Sequence, residues 1–447
     1  MTSVLTWAAP ADARAAIGSR RLAALRASHH AMWNYVTYRD AIALVGLDPD
    51  DLYPEGTTRL PADWADLGWL TCFHGPPASA VEAMRAALEP DALDVYPPDL
   101  IEPLRDEAAR ALGRARDDAF EVIGTEGAQA GLALALLAAI DPGDEVVLGD
   151  PGYFHLPSAA LAAGGVPVTV PIGPDNGYRL DPDAVAAAIT PRTRAICLVD
   201  PSNPYGTLAT ADEAAALTAL AERHGLVLIH DVTHSLLAVD PGAPPAAPPA
   251  GPHAAATFSV SHCFGMAGAR LGFLAGDPAL MRGCLQLKAA LTRLNTNLVS
   301  QRGALAALRD GGYRAGAEAA VRANLGRLED TLAHVDGIAL AVRPQRGLAC
   351  ALELDDHGPT AQELMVALFA RRVAVYPGDG LGDVRAATTV RLNLSAPPWA
   401  MEHLDAVLAD ALAEAAAGRW REPVAELLDG KGTGRAARLA RRVRRER

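Results

Sequence analysis

The chain has 447 residues, half of them hydrophobic and 21% charged, which suits two or three domains around a large core and excludes global disorder. Its net charge of −13 argues against a general nucleic-acid binder. The five cysteines, Cys72, Cys197, Cys263, Cys284 and Cys350, include no CxxC pair, so neither a disulfide framework nor a zinc site is expected.

Residues 1–60 read as a helical, irregular N-terminal arm with an aromatic cluster at Trp33, Tyr35 and Tyr38. His29 and His30 fall on an exposed helix within it. The N-terminus carries no uninterrupted apolar run of a secretory signal, and the most apolar helix, 128–140, is too short to span a bilayer. A soluble cytoplasmic protein with no membrane partner is expected.

From Glu121 strands and helices alternate. Apolar, β-branched runs predict strands at 145–148, 166–172, 194–199, 226–230, 256–261 and 271–275. Helical patterns at 127–140, 155–163, 182–189 and 211–224 separate most of them. This α/β order predicts a mostly parallel sheet covered on both faces. The last two strands sit close together, which is compatible with a mixed sheet.

A long helical stretch is expected from Pro278 to about Val335. Strands near 338–342, 349–354, 373–375 and 389–394, with helices at 360–371 and 401–416, predict a smaller α+β domain. The Pro/Ala/Gly run 241–252 reads as an extended surface loop. Residues 435–447 hold seven arginines and read as a solvated end.

Several groups fall at or near strand ends, where open parallel sheets bind ligands. Thr125-Glu126-Gly127-Ala128-Gln129 opens a helix whose free N–H groups can hold a phosphate. Asp150-Pro151-Gly152-Tyr153 presents a ring able to stack on a planar heterocycle. Asp200-Pro201-Ser202-Asn203-Pro204-Tyr205-Gly206 projects Asn203 as a donor from a turn. Asp231 ends an apolar strand, where a buried carboxylate needs a cationic partner such as a protonated pyridine nitrogen. The stretch from Ser259 through Ser261 and His262 to Arg270 supplies hydroxyls and a guanidinium for a phosphate.

Over about residues 70–415, these ordered motifs resemble the fold type I pyridoxal-phosphate enzymes of the class I/II aminotransferase branch. The resemblance implies a large domain with a mostly parallel, seven-stranded-type sheet and a smaller α+β domain. It implies that Gly127, Ala128, Gln129, Ser259, Ser261 and Arg270 hold the cofactor phosphate. Tyr153 would stack on the ring, Asn203 would bond its hydroxyl and Asp231 would pair with the pyridinium. Arg391, in Val390-Arg391-Leu392-Asn393, would grip a substrate carboxylate, with Gly75 approaching the substrate. Tyr96, in Asp94-Val95-Tyr96-Pro97, would reach the phosphate of a neighbouring subunit, implying a homodimer.

Two positions depart from the family pattern. The Ser-x-Ser-Lys motif that supplies the cofactor-binding lysine reads Ser259-Val260-Ser261-His262, and the tyrosine three residues after the aspartate is His234. Imidazole forms no stable imine with an aldehyde, so pyridoxal or pyridoxamine phosphate would be held non-covalently. Imidazole can still shuttle a proton, which makes His262 and His234 the candidate catalytic residues. The chain has only two lysines, Lys288 and Lys431. Lys288 lies within a predicted helix and is a poor substitute. A Cys263–His262 nucleophile is disfavoured, because strand neighbours point to opposite faces. The pyridinium already accounts for Asp231, so no metal site is expected from Asp231, His234 and His262.

The expected division is arm 1–60, small-domain segment 61–95, cofactor-binding domain 96–330, small domain 331–420 and basic tail 421–447. The expected activity is transamination, elimination or cyclisation of a small α-amino or α-keto acid in specialised metabolism. The alternatives are a catalytically silent aminotransferase-like scaffold subunit, or a cofactor-independent enzyme reusing the cavity.

Overall fold

A computed structural model of the chain describes residues 25, 41–48, 60–88, 94–249, 251–430, 440 and 443. The aromatic cluster, His29 and His30 lie outside these residues, as does nearly all of the arginine-rich end. No helix among the described residues is long and apolar enough to cross a membrane.

Strand β1 (Ala65–Asp66) is two residues long and pairs with a strand far along the chain. The next seven form one sheet: β2 (Glu121–Thr125), β3 (Glu145–Asp150), β4 (Val166–Pro171), β5 (Thr193–Val199), β6 (Val227–Asp231), β7 (Ala254–Ser259) and β8 (Gly272–Gly276). Their order is β2-β8-β7-β6-β5-β3-β4. Only β8 runs against its neighbours, β2 and β7. The link from β7 to β8 has room for one short 3-10 turn, Ala267–Ala269, and no crossover helix, so the chain returns antiparallel.

Helices cover both faces, as the continuous apolar strands require. Leu132, Leu136, Leu156, Ala160, Met281 and Cys284 pack helices 128–139, 155–163 and 278–291 against one face. Val185, Leu217 and Leu220 pack helices 182–188 and 211–224 against the other. Asp181 caps the first of these by accepting from Asp183 N, and Thr210 with Glu213 forms a capping box on the second. Each such cap contributes about 1 kcal/mol.

The stretch expected to be one long helix is three: Pro278–Leu291, Leu298–Arg309 and Gly311–Leu332. The breaks are side-chain caps. Asn297 accepts from Ser300 N and Asp310 from Tyr313 N. Both residues compete for backbone N–H groups, which favours a helix start over its interior.

Strands β9 (Ile338–Leu340), β10 (Ala349–Leu354), β11 (Val373–Ala374), β12 (Tyr376–Pro377) and β13 (Thr389–Asn393) follow. An antiparallel sheet has the order β12-β13-β10-β9, while β11 pairs in parallel with β1. The helix Ala361–Phe369 packs against Pro398–Ala416 and against a further helix, Arg421–Asp429. Val424, Ala425 and Leu428 of that last helix are buried, so packed structure continues beyond residue 420. The tail expected from 421 therefore begins with a core helix, whose apolar spacing was masked by the surrounding charge.

Candidate active site

A cleft opens where β2, β5, β6 and β7 end. Register brings Thr125, Gly272 and Ser259 level with one another, and likewise Val199, Asp231 and Thr257. The cleft is lined by Gly127, Ala128, Gln129, Tyr153, Asn203, Asp231, His234, Ser259, Ser261, His262 and Arg270, together with Val199, Thr233 and Ala267. Residues chosen from distant parts of the sequence thus meet in one place.

One end of the cleft is an anion cradle. Gly127, with a positive φ of 87°, caps the helix Ala128–Ala139, whose first N–H groups have no intrahelical partner. Arg270 Nη2 donates to the Glu126 carbonyl at 3.0 Å, laying its guanidinium beside Gly127. A Cβ on Gly272 would come within 2.4 Å of the Gly127 carbonyl carbon, so only glycine lets β8 approach this closely. Ser261 faces the same space, and its backbone N–H donates to Ser259 Oγ.

The middle of the cleft suits a flat, cationic ring. Asp231 Oδ1 accepts from Thr233 N at 3.0 Å and from Thr233 Oγ1 at 2.5 Å. Its Oδ2 has no hydrogen-bond partner among the described residues. Burial raises the Asp231 pKa, against the Thr233 bonds and the nearby His230. A cation at Oδ2 would relieve that burial cost. A phosphorylated pyridine fits the set: cradle for the phosphate, Oδ2 for the ring nitrogen and Tyr153 beside the ring.

Beyond the ring position lie two stacked imidazoles. The rings of His234 and His262 are 4.7 Å apart and 27° from parallel. His262 Nδ1 lies 2.5 Å from the Leu70 carbonyl oxygen. A carbonyl only accepts, so Nδ1 carries the proton and Nε2 the lone pair. Burial lowers the His262 pKa; the Leu70 carbonyl opposes this, and Arg391 and Arg270 add to it. Burial, then His262 and Arg391, hold His234 well below the ordinary imidazole value. His262 is therefore neutral near pH 7 and free to accept a proton at Nε2. The His234 Nδ1 is buried without a hydrogen-bond partner among the described residues.

Arg391 is buried behind Asn203, donating from Nη1 to Asn203 Oδ1 at 3.4 Å and from Nη2 to the Gly68 carbonyl at 2.8 Å. Its guanidinium stacks 4.1 Å from the centre of the Tyr376 ring.

The family model for aminotransferase class I and II matches residues 67–406. The chain belongs to the class I and II aminotransferases. It is 30% identical over 311 residues to a probable aspartate/prephenate aminotransferase of Thermus aquaticus, covering 68% of this chain and 80% of that one. A probable N-succinyldiaminopimelate aminotransferase of Mycobacterium tuberculosis is 34% identical over 227 residues, covering 49% of this chain and 57% of its own. Among solved structures, a mutant of Thermus thermophilus aspartate aminotransferase superposes with a TM-score of 0.75 at 25% identity, covering 88% of this chain and 99% of that one. Enzymes of this family use pyridoxal and pyridoxamine phosphate and act on amino and keto acids.

Three of the expected site residues of this aminotransferase stand outside the cleft lining: Arg391, held behind it as described, Gly75 and Tyr96. Gly75 gives its carbonyl to the Tyr313 hydroxyl at 2.7 Å and lies against Gly265, where a Cβ would come within 2.3 Å of that carbonyl oxygen. Tyr96 is 72% exposed, with the Arg293 guanidinium 4.4 Å from the centre of its ring. Cys263 follows the end of β7 rather than lying on it. Its Sγ donates to the Thr233 carbonyl at 3.4 Å, and burial pushes its thiol up to about 12, so it stays protonated. No group of three or more His, Cys, Asp or Glu among the described residues is arranged to hold a metal.

The aminotransferase's Lys288 is buried outside the cleft. Its Nζ donates to Asp99 Oδ1 at 2.7 Å, the Gly124 carbonyl at 2.8 Å, the Leu294 carbonyl at 2.7 Å and Thr296 Oγ1 at 2.8 Å. The sequence reading missed Leu70, Gly68, Thr233 and Tyr376. The first two act through backbone carbonyls, which no side-chain pattern reveals, whereas Thr233 could have been found two residues beyond Asp231.

Proposed function

We propose that this aminotransferase binds its pyridoxal or pyridoxamine phosphate without a covalent lysine link and acts on an α-amino or α-keto acid, with His262 as the proton shuttle. The observation that carries the reading is the contrast at the two bases. Lys288 is saturated by four oxygens outside the cleft, whereas His262 presents an unprotonated Nε2 within it.

When bound, the cofactor supplies an electron sink for bonds at the substrate's α-carbon. The chain's residues do the remainder. Gly127, Ala128, Gln129, Ser259, Ser261 and Arg270 hold the phosphate, and Asp231 holds the proton on the ring nitrogen. Asn203 and His234 donate to the ring hydroxyl, and Tyr153 covers a ring face. Arg391 orients the substrate through its carboxylate, a planar match for a guanidinium. His262 Nε2 takes a proton from the substrate, while the Leu70 carbonyl steadies the imidazolium through Nδ1. Returning that proton to a different atom completes a transfer; releasing a leaving group instead gives elimination.

Tyr96 fits a homodimer in which it reaches the neighbouring cradle. Its exposed ring lies near exposed Val95, Leu291 and Leu294, the composition of a surface that another copy would cover.

The test is a pH–rate profile of the wild type and His262→Asn, with pyridoxamine phosphate and a panel of 2-oxo acids. The reading predicts an acid limb below the ordinary imidazole range, because protonation at Nε2 removes the base. His262→Asn should lose that limb. A wild type that binds the cofactor yet converts no amino or keto acid would favour the silent-scaffold alternative.

A further inference from the structure

A four-residue strap, Gly68–Thr71, runs beside the site, and every one of its carbonyls accepts a hydrogen bond from the side chain of His262 or of a β13 residue. Gly68 O accepts from Arg391 Nη2 at 2.8 Å and Leu70 O from His262 Nδ1 at 2.5 Å. Trp69 O and Thr71 O both accept from Asn393 Nδ2, at 2.7 and 2.8 Å. The strap thus touches both the guanidinium assigned to the substrate carboxylate and the imidazole assigned to the proton.

Its root is Asp66, on β1, paired with Ala374 of β11. Asp66 Oδ1 accepts from Gly68 N and Trp69 N, each at 3.2 Å, which closes the turn into the strap. A carboxylate is an expensive way to close a turn here, since Asp66 is only 8% exposed. The charge that bears on it is the Arg391 guanidinium on β13; its other electrostatic neighbours are the two backbone N–H groups.

We infer that Asp66 is a positioning residue: by fixing the Gly68–Trp69 turn, it holds the carbonyls that orient Arg391 and select the His262 tautomer. The inference rests on the proposed roles of Arg391 and His262. Leu70 O selects the tautomer because it can only accept, leaving the lone pair on Nε2. Gly68 O lies two residues earlier on the same strap. Movement of Arg391 toward a bound carboxylate is therefore felt at the His262 anchor, which links substrate grip to base orientation.

The test is 15N spectroscopy of the full-length chain, labelled at histidine, with pyridoxamine phosphate added at pH 8. The His262 ring signals are assigned by their loss in His262→Gln. The wild type should show one tautomer, protonated at Nδ1. Asp66→Ala should give mixed tautomers, because the turn loses its acceptor. Asp66→Asn keeps an acceptor oxygen and should restore the single tautomer. A merely structural aspartate would lower the melting temperature without changing the tautomer. An unchanged single tautomer in Asp66→Ala, or mixed tautomers in Asp66→Asn, would overturn the inference. Should Asp66→Ala not fold, Asp66→Glu displaces the acceptor while keeping the carboxylate, and the same two readings apply to it. Unchanged turnover in His262→Asn would refute the base assignment while leaving these tautomer outcomes as they stand.

Discussion

Lys288 and His262 are both basic side chains near strand ends of the same sheet, yet their surroundings are opposites. Lys288 meets four oxygen acceptors, one of them the Asp99 carboxylate, with nothing left to offer a ligand. His262 has one nitrogen bound to Leu70 and the other free in a cleft that also holds the unused Oδ2 of Asp231. A buried polar group with a full set of partners holds the fold; one left short of partners at a cavity is available for chemistry.

The comparison can be broken first at His262. His262→Asn should lower turnover by about 10²–10⁴-fold, the usual effect of removing a general base. Titration with pyridoxamine phosphate should show nearly unchanged cofactor affinity, because the cradle and Asp231 supply it. The mirror experiment is Lys288→Met, which takes the buried ammonium from Asp99 Oδ1 and from three other oxygens, while Asp99 Oδ2 keeps the Gly124 N–H and the Arg105 guanidinium. Denaturant unfolding should show a loss of about 3–5 kcal/mol, the range for breaking a buried ion pair. The folded fraction should keep its cofactor affinity, since Lys288 touches nothing in the cleft.

A smaller effect is expected at Arg391. Arg391→Ala should weaken binding of a 2-oxo acid by about 2–5 kcal/mol, measured by calorimetry, with cofactor affinity nearly intact. The smallest expected effect is at Asp66, where burial pushes the carboxyl from 3.8 up to about 6. The native state then holds that proton more tightly than the unfolded chain, so ionised Asp66 costs stability above pH 6. Asp66→Asn should melt higher than the wild type at pH 8. The gap should stay constant above about pH 6 and close as the pH falls from 6 to 3.8, as thermal scans across that range would record.

The sequence made the main sheet legible because its strands are short apolar runs. The helices at 155–163 and 211–224 and the strand at 349–354 match their expected bounds. The cleft was legible for a different reason: side chains such as Asp231, Asn203 and Arg270 declare their chemistry by residue type. What stayed hidden works through backbone or through distant pairing. The carbonyls of Gly68 and Leu70 leave no residue-type signal, and Asp66 gains its place only because β1 pairs with β11. Gly75 was expected at the substrate from the family resemblance, and its contacts with Tyr313 and with Gly265, three residues beyond His262, are further ones that only the folded chain reveals.

The central claim is that the cofactor is bound without a covalent lysine link, and borohydride trapping tests it most directly. The full-length chain would be mixed with pyridoxal phosphate, reduced, and weighed by intact-mass spectrometry after removal of free cofactor. The account predicts an unmodified mass, together with a free-aldehyde absorption spectrum before reduction. A stable phosphopyridoxyl adduct mapped to Lys288 or Lys431 would contradict it.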